Sequence, residues 1–365
     1  MMTVQNPSLV SSSVLGFVLT VILLPVYIAW LKRKQVEQFI REEGPQSHKA
    51  KAKTPTTGGV VFILTTLISS VICLGYSQLL DLSAMLVLVV GLLCGVLGFI
   101  DDFAKIQNKA NKGLSGYIRL AIEIGLGLGF GYLLITPDGI TAPVMSGASS
   151  FVNQNVLALA LPFELYMLMM AFYIAATTNA VNLHDGMDGL CAGTSLQVFV
   201  TLGIMYIFMG NTPLAVISLA LAGTLLGFLL FNKNPASIFM GDTGSLFIGG
   251  TMASLVLAGG LELWFIPLAL IYIVETLSVI AQVLYFKLTK NYKPPKPMSG
   301  LQILITKLTK KVPGEGKRLF RMAPLHHHFE AVAGDHGIKE WQVVAGFWVV
   351  QFIICTLVLV AFVNS

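Results

Sequence analysis

The sequence predicts an all-α polytopic membrane protein of about ten transmembrane helices, and three observations carry that expectation. Of its 365 residues 55% are hydrophobic and only 11% are charged, and the mean hydropathy is +0.78. A water-soluble domain carries about 25% charged residues, so a soluble enzyme is excluded. About ten stretches reach the roughly 20 mostly apolar residues that a bilayer crossing needs, which leaves only loops between them and predicts one integral membrane domain over 1–365. The basic residues, finally, are segregated.

The spans fall at 12–31, 58–76, 82–100, 116–135, 158–177, 190–209, 213–231, 243–260, 263–286 and 341–363. Met1 to Ser13 lacks the basic residues of a secretory leader and runs into a stretch long enough to span, so a retained first helix is expected. With the 32–57 loop placed in the cytoplasm, all 23 Lys and Arg lie inside: in 32–53, in 105–119, at Lys233 and in 287–339. Basic residues favour the cytoplasmic side, so both termini are expected outside. The outer connections are short except 136–157, which is uncharged apart from Asp138. The longest inner loop, 287–340, opens on Lys293-Pro294-Pro295-Lys296-Pro297 and continues into Leu301–Lys311, whose mixed apolar and basic pattern predicts an amphipathic helix on anionic headgroups. Cys73, Cys94, Cys191 and Cys355 form no C-x-x-C pair, which favours buried thiols over disulfides or zinc. No internal repeat is visible.

Acids at the ends of transmembrane helices are expensive and usually functional. Five gather on the inner rim: Asp101, Asp102, Asp185, Asp188 and Asp242. Asp101-Asp102 closes the third span where the helix dipole repels negative charge. A lone pair there would be a solvated helix end paired to Lys105; three further rim aspartates favour function. Adjacent helical residues point about 100° apart, so the two carboxylates are expected to do different jobs. Asn182-Leu183-His184-Asp185-Gly186-Met187-Asp188-Gly189-Leu190 sets Asp185 and Asp188 three apart among glycines that permit close approach, beyond what a simple Asp-Gly turn requires. Gly241-Asp242-Thr243-Gly244-Ser245 opens the eighth span, where free N–H groups suit a phosphate and where Asp242 would otherwise serve as an N-cap. Phe239 suits a membrane anchor and a base-stacking surface equally.

Aspartate is a hard oxygen ligand suited to Mg2+ held by one or two carboxylates and substrate phosphates. With Lys51, Lys53, Lys105 and Lys112 nearby, the rim fits phosphoryl transfer, which works by positioning and charge stabilisation. A cation-coupled transporter fits less well, since it predicts repeats and carboxylates at mid-membrane. His326-His327-His328 cannot all reach one ion without unusual backbone geometry, so hydrogen bonding to a phosphate or another substrate group is favoured over zinc. Glu123, Glu164 and Glu275, within spans, are expected to serve structural hydrogen bonding.

These motifs resemble one family, the phospho-N-acetylmuramoyl-pentapeptide transferases, within the polyprenyl-phosphate N-acetylhexosamine-1-phosphate transferase superfamily. The resemblance runs through Gly44-Pro45-x-Ser47-His48, Thr54-Pro55-Thr56-x-Gly58-Gly59, Gly98-Phe99-Ile100-Asp101-Asp102, Asn179-Ala180-Val181-Asn182-Leu183, Asp185-Gly186-x-Asp188-Gly189-Leu190, Phe239–Ser245 and Met322–Glu330. The aspartate motifs mark the superfamily, and Met-Ala-Pro-x-His-His-His points to the muramoyl-pentapeptide branch.

The resemblance implies ten spans with outside termini in the bacterial cytoplasmic membrane, a cytoplasmic Mg2+-dependent site and a homodimer. It implies transfer from UDP-N-acetylmuramoyl-pentapeptide to undecaprenyl phosphate, giving lipid I and UMP, and no nucleic-acid partner. Asp242 would be the Mg2+ ligand and Asp101 and Asp102 the catalytic pair. Phe239 would stack on uracil, with Asp188 and Lys51 on the uridine. Asn182, Asp185 and Thr56 would line the nucleotide-sugar site, Asn232 would support it, and His326, His327 and His328 would face the pyrophosphate or the peptide-bearing sugar; Lys105 and Lys112 are expected to bind phosphate from the charge pattern of the rim itself. The sequence leaves direct attack by the lipid phosphate and a covalent aspartyl route both open. A sister transferase using UDP-N-acetylglucosamine is the alternative within the superfamily.

The chain departs from the family pattern at three places. His184 stands where the family has Thr. Lys53 stands where it has Gly, which leaves Lys51 and Lys53 competing for one role. The 290–316 segment is longer than the family's.

Overall fold

The computed structural model describes residues 7–34, 54–107, 113–135, 162–292, 294, 297–310 and 312–365. Among the described residues there are thirteen helices and no strand. They are α1 (Pro7–Arg33), α2 (Gly59–Tyr76), α3 (Leu82–Gln107), α4 (Gly116–Ile135), α5 (Phe163–His184), α6 (Leu190–Phe208), α7 (Thr212–Asn232), α8 (Gly241–Gly259), α9 (Glu262–Leu268), α10 (Leu270–Leu288), α11 (Gly300–Thr309), α12 (Leu325–Asp335) and α13 (Glu340–Val363). By length and apolarity, 8 of them can cross a membrane: α1, α2, α3, α4, α6, α7, α10 and α13.

α5 and α8 occupy the places expected for the fifth and eighth spans but are more polar, and their packing explains why. α8 is buried without a break from Thr243 to Gly259. It faces other helices, so it can carry Thr, Ser and Gly in place of large apolar side chains. Small residues let backbones close up where the hydrophobic effect gives no drive between helices. α3 packs most extensively against it, and α5 lies on another side. A Cβ at Gly98 of α3 would strike the Asp242 carbonyl, and one at Gly249 of α8 would lie 2.6 Å from the Thr178 Cα of α5. α5 runs past the expected end at 177 because Thr177, Thr178, Ala180, Val181 and His184 are buried against neighbours. A window of hydropathy does not register that.

The expected single span 263–286 is broken. Pro267 lies inside α9, and Ala269 separates α9 from α10 at φ −90° and ψ 12°. Proline has no N–H to donate and its ring crowds the preceding turn. Beside the break the Leu268 carbonyl accepts from the Gln351 side chain of α13 at 3.1 Å.

On the far side α1 and α7 form a second close pair. Ser12 donates to the Val216 carbonyl at 3.2 Å, and Thr20 and Thr65 join α1 to α2 at 2.7 Å. The amphipathic helix expected at 301–311 is present as α11, opened by a capping box between Ser299 and Gln302. Leu301, Leu304 and Ile305 leave its apolar face uncovered, while Lys307 and Lys287 tie it to α10 through the Leu288 and Leu308 carbonyls.

Candidate active site

The site is built where the C-terminal end of α3 meets the N-terminus of α8. A helix N-terminus presents unpaired N–H groups and partial positive charge. Asp102 meets that need from across the structure. Its Oδ1 accepts from the Asp242 N–H at 3.1 Å, and its Oδ2 accepts from the Thr243 N–H at 2.9 Å and the Thr243 hydroxyl at 2.7 Å. Asp102 is buried and both oxygens are engaged. Gly241, with φ +71°, turns the chain into α8, and a side chain there would press on Asp102 and on the Thr56 hydroxyl.

Asp101, one residue earlier, points elsewhere, as helical geometry requires. Its Oδ2 lies 2.6 Å from Lys105 Nζ and its Oδ1 accepts from the Leu114 N–H at 2.5 Å. Lys105 Nζ also stands 2.7 Å from Asp242 Oδ2, so one ammonium bridges two carboxylates. The Asp101 side chain is 4% exposed, against 18% for Asp242, 30% for Lys105 and 21% for Arg119, so the two cations are the groups an arriving phosphate can reach.

Asp242 is held from two further sides. Asn182 of α5 donates to its Oδ1 at 2.9 Å and lies equally close to the Ser245 hydroxyl. Arg119 of α4 reaches its Oδ2 at 3.5 Å and donates to Asn179 at 2.9 Å, while Asn179 donates to Glu123 at 2.5 Å. The sequence reading did not select Arg119. Its signal was Arg119 and Glu123 set four apart on a spanning helix, where an uncompensated charge is expensive. Glu123 has the structural hydrogen bonding expected of it.

Asp185 caps α5 and its carboxylate has no hydrogen-bond partner among the described residues. Burial, with the Asp242, Asp102 and Asp188 carboxylates near it, pushes its pKa up to about 8. Asp188 is placed differently. Its Oδ2 accepts from Asn234 and from the Ala236 N–H, both at 3.1 Å, so it braces the 233–240 loop. Asn232 joins the same brace, accepting from the Gly189 N–H at 3.1 Å and donating to the Ile238 carbonyl at 2.9 Å. Phe239 is half-buried, and its backbone pairs with Pro55 and Gly58 at 2.9 Å, which sets the Thr54–Gly58 segment beside α8.

The three histidines diverge. His326 is buried and bonded to Glu275, whose carboxylate accepts from its backbone N–H at 3.1 Å. His327 meets Glu330 at 3.0 Å, and His328 accepts from the Arg321 N–H at 3.2 Å. Lys51 and Lys112 lie outside the described residues.

Asp101, Asp102, Lys105, Asn182 and Asp242 thus form one connected cluster, with Thr56 against it. Asp188, Asn232 and Phe239 belong to the adjoining loop, and the histidines to a third group. The partly exposed Asp242 carboxylate, beside an ammonium that already lies between two carboxylates, offers the hard oxygen donor that a cation such as Mg2+ takes. The fold and this cluster define a polytopic membrane protein with the apparatus of phosphoryl transfer.

Comparison with known proteins makes that specific. The family model described as glycosyl transferase family 4 matches residues 84–260. A phospho-N-acetylmuramoyl-pentapeptide-transferase of Geobacillus sp. (strain WCH70) is 36% identical over 349 residues, 96% of each chain. The protein of that name from Halalkalibacterium halodurans is 37% identical over 345 residues, 94% of each. That of Staphylococcus aureus is 37% identical over 342 residues, 93% of this chain and 95% of its own. The chain belongs to the phospho-N-acetylmuramoyl-pentapeptide-transferase family.

Proposed function

We propose that the chain transfers phospho-N-acetylmuramoyl-pentapeptide from its UDP-linked precursor to undecaprenyl phosphate, giving lipid I and UMP. The observation that carries this reading is the Lys105 ammonium between Asp101 and Asp242, with Arg119 beside it. It is a charge-balanced cluster at one end of a helical bundle, open at Asp242. Mg2+ held by Asp242 would neutralise the diphosphate. Lys105 and Arg119 bind phosphate oxygens, Asn182 orients Asp242, and Phe239 offers a ring face for uracil. Asp188 and Asn232 shape the loop that carries Phe239.

The full use of both Asp102 oxygens in capping α8 supports direct displacement over a covalent intermediate at that residue. In direct displacement an oxygen of the lipid phosphate forms the new bond to the β-phosphorus, the bond to the bridging oxygen breaks, and UMP leaves with the electron pair. The bilayer confines the lipid while the rim holds the nucleotide, which supplies the proximity term.

α5 and α8 complete a ten-span arrangement with α9 and α10 as one broken span, both termini outside and the aspartate rim facing the cytoplasm. The segregation of the 23 basic residues supports it. The uncovered apolar face of α11 suits the headgroup boundary. The family resemblance is the support for a homodimer.

Mass spectrometry of the lipid product from detergent-purified protein, undecaprenyl phosphate and Mg2+ tests the reading. A product bearing the muramoyl-pentapeptide is expected. One formed only from UDP-N-acetylglucosamine moves the chain to the sister activity.

A further inference from the structure

His184, Glu275 and His326 converge from α5, α10 and α12 in a space closed to solvent, with His184 and His326 0% and Glu275 1% exposed. One ligand-capable atom of each lies within 4.8 Å of the other two.

The bonding around His184 fixes its tautomer. The Thr194 hydroxyl lies 3.0 Å from the Leu190 carbonyl, which only accepts, so its proton is committed there. The same oxygen lies 3.2 Å from His184 Nε2, and it accepts, so Nε2 carries the ring proton. Nδ1 is then a bare lone pair. It has no hydrogen-bond partner and faces Glu275 Oε1 at 3.9 Å. A buried acceptor without a partner is costly, and one turned toward a carboxylate more so. A cation between them removes both penalties.

Glu275 is already oriented for that role. The His326 N–H donates to both of its oxygens at 3.1 and 3.3 Å, and His326 Nδ1 lies 3.2 Å from Oε2. Without an ion His326 Nδ1 donates to Glu275; Nε2 has no partner, so the proton shifts to Nε2 when Nδ1 takes the ion. Behind His184, Tyr272 donates to Thr194 at 3.1 Å and lies 3.0 Å from Ser195, an outer layer of the kind that holds metal-binding imidazoles in place.

Two neutral imidazoles and one carboxylate suit zinc and similar divalent transition ions, whereas Mg2+ prefers oxygen alone. Ligands about 2.1 Å from a tetrahedral ion stand about 3.4 Å apart. The two imidazole nitrogens stand 3.2 Å and 3.9 Å from the Oε2 and Oε1 oxygens of the one Glu275 carboxylate, on either side of that spacing.

We propose that His184, Glu275 and His326 form a buried site for a divalent transition-metal ion of the zinc class, distinct in residues and donor chemistry from the aspartate rim. The ion ties α12, which carries the histidine run, to the end of α5 beside Asp185. It also gives the bare Nδ1 of the buried His184 a partner.

The test is metal binding, independent of turnover. Full-length protein in detergent is stripped with EDTA, given Zn2+ without Mg2+, desalted and assayed for metal, and a parallel Co2+ titration is followed in the visible. About one Zn2+ per chain and the intense bands of four-coordinate Co2+ are expected. His184→Thr, checked for a cooperative melt, should bind at least about 100-fold more weakly. A His327→Asn/His328→Asn protein, which keeps all three ligands, should retain the ion. No zinc and no Co2+ bands in the wild-type protein would overturn the proposal. So would zinc retained unchanged by His184→Thr, or lost with the His327/His328 pair. Should His184→Thr fail to fold, the wild-type Co2+ spectrum decides.

Discussion

Asp102 of α3 caps the amino terminus of α8 through Thr243, accepting from its N–H at 2.9 Å and its hydroxyl at 2.7 Å. The two residues are 141 apart in sequence, so the bond is also a clamp between two helices far apart in the chain. It accounts for one acid of a pair that, in the sequence, looks like two copies of the same chemical group.

The clamp makes Asp102 first a stability residue. Asp102→Ala leaves the α8 N–H groups and the Thr243 hydroxyl unpaired, each buried orphan costing about 1–3 kcal/mol. Thermal unfolding in detergent should show a loss of about 3 kcal/mol or more, with or without Mg2+. A variant as stable as the parent but inactive would make Asp102 a purely chemical group.

Lys105 competes for the carboxylate assigned to the cation. In Lys105→Met, Asp242 loses its nearest positive charge, so half-saturation by Mg2+ should fall to lower concentration while turnover drops by about 100-fold. UMP release against Mg2+ concentration reads both. Weaker Mg2+ dependence together with full turnover would remove Lys105 from the site.

The contact of α3 with α8 leaves no room at residue 98. Gly98→Ala should cost about 1–3 kcal/mol from overpacking and displace Asp101 and Asp242 from one another. Stability and turnover should fall together. Unchanged melting would contradict the close approach of the two helices.

Asp185 supplies a pH dependence with a definite sign. Its folded pKa of about 8 is above the ordinary 3.8, so the folded state holds the proton more tightly. The associated stability is fully present below about pH 4 and is lost as pH rises toward 8. In EDTA, the wild-type melt should fall across that window more steeply than that of Asp185→Asn. Parallel pH profiles would contradict it.

Much of this was legible in the sequence, and what was missed shares a cause. Apolar runs of span length located the helices, because lipid-facing segments must be apolar. Rim acids stood out, because carboxylates at helix ends are expensive without a partner. α5 running on to His184, the polar α8 and the break after Pro267 depend on which helix is covered by other helices. Windowed hydropathy carries no such information. Asp101 and Asp102 were expected to separate on helical geometry, and they do. That Asp102 would cap α8, and that Arg119 would reach Asp242, follows from long-range packing. Asp188 and Asn232 stood out in the motifs, but their bracing of the 233–240 loop shows only in three dimensions.

If Asp242 sits at the heart of a muramoyl-pentapeptide phosphotransferase site, its substitution stops UMP release. UMP release by the purified protein is measured with undecaprenyl phosphate and Mg2+, UDP-N-acetylmuramoyl-pentapeptide and UDP-N-acetylglucosamine being run in parallel with Asp242→Asn. UMP is expected from the muramoyl donor alone, lost on adding EDTA and reduced by about 1,000-fold or more in the variant. UMP from the muramoyl donor at an undiminished rate in Asp242→Asn, or from neither donor in folded protein, would contradict it.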